Sequence, residues 1–173
     1  AIGSVVKDAA YGHGAVEVAR VALGQGAESL LISNLDEAAE LRDAGITAPI
    51  LLMGERMESE LPACLELGLT LAIGNVPIAE AASRTASSLG QTLSVHVKID
   101  TGMSRYGARW DAALGLVQKI AALPGLQLDG MFSHFSMSDE LDKSFARDQL
   151  GRFRAACAAV EQAGLAVRCR HLC

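Results

Sequence analysis

The chain has 173 residues, half of them hydrophobic and a fifth charged, enough for one well-buried core and too few for two large domains. Its formal charge of −5 argues against nucleic acid or an anionic membrane as the main partner, and no apolar run approaches the roughly 18 residues of a bilayer span. Aromatics are only 4%, so the core must be aliphatic. The cysteines, Cys64, Cys157, Cys169 and Cys173, lack zinc or redox spacing and read as buried free thiols of a cytosolic protein.

In chain order the sequence alternates strand-like and helical runs. A strand over Ala1–Lys7 opens the chain where a signal peptide would show a different pattern. It precedes a helix near Ala15–Leu23, then a strand Ser29–Ser33 and a helix Leu35–Ala44. In that helix Leu35, Ala38 and Leu41 share one face, while Asp36, Glu37 and Glu40 are expected to face water. Asn34 and Asp36 suit its start and Gly45 its end. Further on come strands Ile50–Met53, Leu69–Ile73, Leu93–Asp100, Leu126–His134 and Ala166–Leu172. Helices are expected between them near Glu58–Leu67, Pro77–Leu89, Trp110–Ala122 and Leu141–Ala163.

Such alternation implies parallel strands joined by helical crossovers. No linker divides residues 1–173, so they read as one domain of about seven strand–helix units. That is an incomplete (β/α)8 barrel, since a closed one has eight units and typically about 250 residues. A doubly wound open sheet is the rival, but no G-x-G-x-x-G follows the first strand.

Three segments carry chemistry. In Val5-Val6-Lys7-Asp8-Ala9-Ala10-Tyr11-Gly12-His13-Gly14, an apolar strand delivers Lys7 to its C-terminal end, the active-site end of a barrel. Apolar neighbours there are expected to destabilise the ammonium and favour an amine able to form a Schiff base with an aldehyde. A snorkelling lysine before a glycine-rich turn is the plainer alternative. In Val95-His96-Val97-Lys98-Ile99-Asp100, period two sets His96, Lys98 and Asp100 on one face and the β-branched residues on the other. The apolar face belongs under helices, so the polar face should line the barrel, with Arg105 following in a loop able to grip an anion. An exposed edge strand is the alternative. In the third segment His134 ends a strand before the polar loop Phe135-Ser136-Met137-Ser138-Asp139. The histidines lie on separate elements without H-x3-H or H-E-x-x-H spacing, so no metal site is expected.

These segments resemble the alanine racemase family. Lys7 to Gly14 is similar to its K-A-[ND]-A-Y-G-H-G signature, Lys98 to Gly107 to K-x-D-T-G-M-x-R-x-G, and Ser133-His134-Phe135 to T-H-F. Leu35-Asp36-Glu37-Ala38 with Leu41-Arg42, Gly45-Ile46, Pro49-Ile50-Leu51 and Gln149-Leu150 with Phe153 add supporting matches, and Arg170-His171-Leu172-Cys173 resembles the lead-in to H-x-x-N-S. The resemblance implies a fold-type III pyridoxal 5′-phosphate enzyme that interconverts L- and D-amino acids, alanine foremost, by two-base α-proton transfer. It implies a cytoplasmic homodimer making a D-amino acid for cell-wall precursors. Lys7 would bear the cofactor and act as one base, and Tyr11 would lie at the cofactor phosphate. Arg105 would meet the cofactor's phenolic oxygen and the substrate carboxylate. Lys98 would be carbamylated and orient Arg105, although Asp100 could instead neutralise Lys98. His134 would lie beneath the cofactor ring and support the arginine partner of its nitrogen.

Several departures stand out. Asp8-Ala9 replaces the usual pair, which puts a charge beside Lys7 and, on a strand, on its opposite face. Ser104 and Ser133 replace the usual glycine and threonine. The N-S pair, the eighth strand and the C-terminal β-domain with the second base are not in these residues, so the chain by itself is expected to be inactive. A fold-type III decarboxylase or lyase, or a non-catalytic pyridoxal-phosphate-binding barrel, would share the barrel.

Overall fold

Strands that are apolar on both faces need a layer on each side, and this chain supplies helices for one. The computed structural model describes residues 2–173. Seven strands, β1 (Gly3–Val5), β2 (Ser29–Ile32), β3 (Ile50–Leu52), β4 (Leu69–Ile73), β5 (Leu93–Asp100), β7 (Leu126–Ser133) and β8 (Cys169–Leu172), pair in parallel in the order β1-β2-β3-β4-β5-β7-β8. A two-residue strand, β6 (Ala108–Arg109), pairs with the end of β5. The sheet is curled, since Val5 of β1 and His171 of β8, at its two edges, line one cleft. This is the incomplete (β/α)8 barrel.

The crossovers are α2 (Ala15–Gly24), α3 (Leu35–Asp43), a 3-10 turn (Glu58–Glu60) leading into α4 (Leu61–Glu66), α5 (Val76–Ser88), α6 (Ala113–Ala122) and α7 (Ser144–Gln162). Strand residues Leu30, Ile32, Ile50, Leu52, Leu71, Ile73, Val95, Val97 and Ile99 form one core with Ala19, Ala38, Ala79, Ala82, Ala86 and Ile120 of the helices. The many alanines let those helices lie close to the sheet. Each buried Leu or Ile contributes roughly 1.5–3 kcal/mol. Leu31, Leu51, Ala72 and Phe132, also buried, lie outside that core and belong to the opposite face, the barrel interior. No helix among the described residues is long and apolar enough to cross a membrane.

Several boundaries differ from expectation. The first strand is shorter than Ala1–Lys7; Ala1 lies outside the described residues. Beyond Val6 the chain forms a single helical turn, α1 (Lys7–Gly12), in which Asp8, Ala9, Ala10 and Tyr11 all have φ between 51° and 56°. A left-handed residue with a Cβ costs roughly 1–2 kcal/mol, so four in succession need an external hold. Trp110 does not start a helix, because its N–H bonds the Asp100 carbonyl at 3.0 Å and extends the β6 pairing. Helix α7 starts at Ser144 rather than Leu141, where Asp142 accepts from Ser144 N at 2.9 Å and Leu141 is 99% exposed. Glu37, expected in water, is 8% exposed, and of the cysteines expected to be buried Cys64 and Cys157 are, whereas Cys169 is half-buried and Cys173 exposed.

Candidate active site

The C-terminal ends of the strands surround a cleft of about 490 Å³. Lys7, Tyr11, Lys98, Arg105 and His134, drawn from three separate segments of the sequence, all line it. So do Ser33, Tyr106, Phe132, His171 and Cys173, to which the sequence reading gave no role.

Lys7 leaves the left-handed turn with its Nζ 3.1 Å from Asp8 Oδ2 and 5.7 Å from the centre of the Tyr11 ring. Its side chain is 35% exposed. The strand alternation that would place Asp8 on the opposite face does not operate in this turn, so the two charges pair. The apolar burial expected around Lys7 is found instead around Lys98.

Strand β5 lies between β4 and β7, not at an edge. Its Val95, Val97 and Ile99 are fully buried, while Lys98 projects to the cleft and is 2% exposed. The Lys98 ammonium donates to the Ile99 carbonyl at 3.1 Å and lies 5.2 Å and 5.7 Å from the Tyr106 and Phe132 ring centres. Burial pushes its pKa down from about 10.5 to about 8; Asp100 opposes this and Arg105 adds to it. Asp100 Oδ1 accepts from Gly102 N and Ser104 N at 3.0 and 2.9 Å, so that oxygen shapes the following loop. No Lys98–Asp100 ion pair forms among the described residues. Gly107 completes the enclosure: at φ +113°, a Cβ there would lie 2.8 Å from Lys98 Cγ.

Arg105 is exposed on that loop, with its guanidinium carbon 5.9 Å from the Tyr106 ring centre. The Tyr106 hydroxyl donates to the Met53 carbonyl at 2.5 Å, and burial pushes its pKa up to about 12. A buried network ties the loop's base to β7 and α7. The Ser133 hydroxyl donates to the Ile99 carbonyl at 2.8 Å and contacts Thr101 Oγ1 at 2.8 Å. Gln149 Nε2 donates to Thr101 Oγ1 at 3.1 Å and to the His134 carbonyl at 3.0 Å. The serine that replaces threonine at 133 thus has a satisfied hydroxyl.

His134 Nδ1 lies 3.3 Å from Cys173 Sγ. Burial first, then Arg105 and Lys98, lower its pKa from the ordinary histidine value. Deeper in the barrel His171 stacks on Phe132, centroids 4.9 Å apart, and its Nε2 lies 2.9 Å from His96 Nδ1. The pair shares one proton across that contact. Burial and then His96 push His171 down to about 4. The approach of His96 requires Gly130, where a Cβ would lie 2.6 Å from the ring. Strand β7 carries an irregularity here, with Asp129 unmatched between Val95 and His96 of β5.

The family model described as "Alanine racemase, N-terminal domain" matches residues 1–173. An alanine racemase of Desulfovibrio desulfuricans is 44% identical over 167 residues, which cover 96% of this chain and 45% of that protein. One of Desulforamulus reducens is 42% identical, covering 98% and 46%. Among solved structures, Clostridium difficile alanine racemase in complex with cycloserine superimposes with a TM-score of 0.94 at 32% identity, covering 99% of this chain and 47% of that one. Bacillus anthracis alanine racemase with bound L-Ala-P gives 0.90 at 32% identity, covering 99% and 44%. The chain spans a little under half the length of the curated relatives it matches.

Proposed function

We propose that this chain, which belongs to the alanine racemase N-terminal domain family, carries the cofactor barrel of a cytoplasmic, homodimeric enzyme that interconverts L- and D-alanine with pyridoxal 5′-phosphate. The supporting observation is the convergence of Lys7, Tyr11, Lys98, Arg105 and His134 on one cleft. The donor set suits that cofactor. Lys7 offers an amine to an aldehyde, Arg105 and Tyr11 offer donors to anionic oxygens, and Phe132, His134 and His171 offer flat surfaces to a ring.

In this reading Lys7 holds the cofactor at Nζ, Tyr11 meets its phosphate, and His134 supports its ring. When bound, pyridoxal phosphate supplies an electron sink for the pair left on the substrate α-carbon. The Lys7 amine takes or returns the α-proton on one face. Arg105 grips the carboxylate and keeps the α-carbon in reach of Nζ. The base for the opposite face and the second domain belong to the rest of the protein, given the share of its relatives that this chain spans.

Lys98 is carbamylated in this reading. Among the described residues its three ammonium protons have one hydrogen-bond acceptor, the Ile99 carbonyl, and a buried cation so poorly satisfied is costly. Addition of carbon dioxide to the neutral amine forms an N–C bond, releases one proton and leaves an anion. That anion would give the nearby Arg105 guanidinium a forked partner.

Borohydride reduction of the full-length, cofactor-loaded protein, followed by peptide mass mapping, is expected to find the adduct on Lys7. An adduct on Lys98 or on Lys119, which pairs with Glu80 at 2.8 Å on the outer surface, would overturn the assignment.

A further inference from the structure

Strands β1 and β2 are in parallel register with Val5 opposite Leu31. Their last ladder bond runs from Val6 N to the Leu31 carbonyl at 2.9 Å. A continuing parallel ladder would next join Ser33 N to the Val6 carbonyl and Asp8 N to the Ser33 carbonyl. The Val6 carbonyl accepts instead from Ala10 N at 2.9 Å, within the left-handed turn. Both donors thereby released end on one side chain. Asp8 N donates to Glu37 Oε1 at 2.7 Å and Ser33 N to Glu37 Oε2 at 2.7 Å.

An N3 glutamate ordinarily reaches back to the N-cap N–H of its own helix. Glu37 does so too, at 3.3 Å to Asn34 N, while Asn34 Oδ1 accepts from Glu37 N at 2.9 Å. Its two shortest contacts, however, go to the diverging ends of the strands. The Ser33 hydroxyl donates to the same carboxylate at 3.1 Å. Among the described residues no cation lies within ion-pair distance of Glu37. Backbone and hydroxyl donors alone therefore satisfy a nearly buried charge, and a charge held this way is a rigid strut.

We propose that Glu37 is the positioning residue for Lys7: its carboxylate wedges the ends of β1 and β2 apart and holds the left-handed turn that presents Lys7 to the cleft. Asp8 N belongs to the peptide plane that follows Lys7, so pinning it restricts the direction in which the Lys7 side chain leaves the backbone. The proposal rests on the reading of Lys7 as the cofactor-bearing lysine.

The test uses the full-length protein with Glu37→Gln, Glu37→Asp and, as a control on the exposed side of the same helix, Glu40→Gln. Glutamine turns an amide donor toward one of the two backbone donors, and aspartate keeps the charge but is one methylene short. Two quantities are read: amide hydrogen exchange at Asp8 and Ser33 without cofactor, and the rate of the borohydride-trapped pyridoxal phosphate adduct at Lys7. Both Glu37 variants are expected to speed Asp8 exchange and slow Lys7 labelling by at least about tenfold, with Glu40→Gln at wild-type values. Should Glu37→Gln not fold, Glu37→Asp carries the same comparison. Glu37 variants that label Lys7 at the wild-type rate overturn the proposal, whatever their stability, and reduce Glu37 to a helix cap. Wild-type protein that fails to label Lys7 overturns the cofactor reading instead. Exchange at Asp8 then still decides whether Glu37 holds the turn.

Discussion

Lys7 and Lys98 both lie near the end of an apolar strand and line the same cleft, yet their surroundings are opposite. Lys7 stands on a left-handed turn, a third exposed and paired with Asp8. Lys98 is enclosed by Tyr106, Phe132 and Gly107, with one carbonyl for its protons. Burial makes Lys98 the one whose amine is freed near neutral pH, while Lys7 is the one a ring-sized aldehyde can reach. In the proposed reading access separates their roles: a small reactant such as carbon dioxide suits Lys98, and a cofactor suits Lys7.

Chemical rescue breaks this comparison most sharply. In the full-length enzyme Lys7→Ala is expected to lose about 10²–10⁴-fold in racemisation rate, and a small amine such as methylamine should restore part of it. Lys98→Ala should lose less, on the order of tenfold to a hundredfold, with partial recovery on adding acetate and none on adding methylamine. Polarimetric assays with each additive decide the matter. Recovery of Lys98→Ala by the amine would mean that Lys98 acts as a cation, and the carbamate would be wrong.

A smaller effect should appear in stability against pH. The folded-state value of His171, about 4, lies below the ordinary value near 6.5. The unfolded chain therefore binds a proton that the folded chain refuses as pH falls from 6.5 toward 4, and stability falls over that window. The loss is about 2 kcal/mol, allowing for solvent access to the partly exposed ring. Denaturant midpoints between pH 6.5 and 5 should show the slope in the native chain and a shallower one in His171→Phe. Equal slopes would remove His171 as its source.

The smallest effect belongs to the turn. Ala9 is exposed at φ 51°, so Ala9→Gly touches nothing and relieves roughly 1–2 kcal/mol of left-handed strain. About 0.4–1 kcal/mol returns as extra freedom of the unfolded chain. A net gain between about 0 and about 1.6 kcal/mol is expected by thermal denaturation, and a clear loss would show that the turn is not strained at this residue.

Much of the site was legible before the fold. Period-two alternation is a property of any strand, so Val95, Val97 and Ile99 under the helices and Lys98 toward the cleft follow from residue order. The end of the fifth strand at Asp100 was likewise legible, because its apolar alternation stops where a polar loop starts, whereas the first strand ends at Val5 and not at Lys7. Glu37 was misread for a definite reason. A helical period sorts residues by the helix's own faces and carries no information about the strand ends that meet its first turn. The handedness of the turn after Lys7 was illegible too, since Ala9, Ala10 and Tyr11 have no local preference for positive φ.

What the sequence determined by itself is the alternation of strands and helices, hence a parallel sheet of barrel type, and the strand ends at which Lys7, Lys98 and His134 stand. Local periodicity and short motifs suffice for that. The tertiary structure alone decided which lysine is buried, that Asp100 shapes a loop instead of pairing with Lys98, that His96 meets His171 and that Glu37 accepts from Asp8 N and Ser33 N just beyond β1 and β2. Apart from the local bonds of Asp100, each of these depends on groups distant in sequence meeting in a space where water is scarce, and there the available donors and acceptors set the pairing.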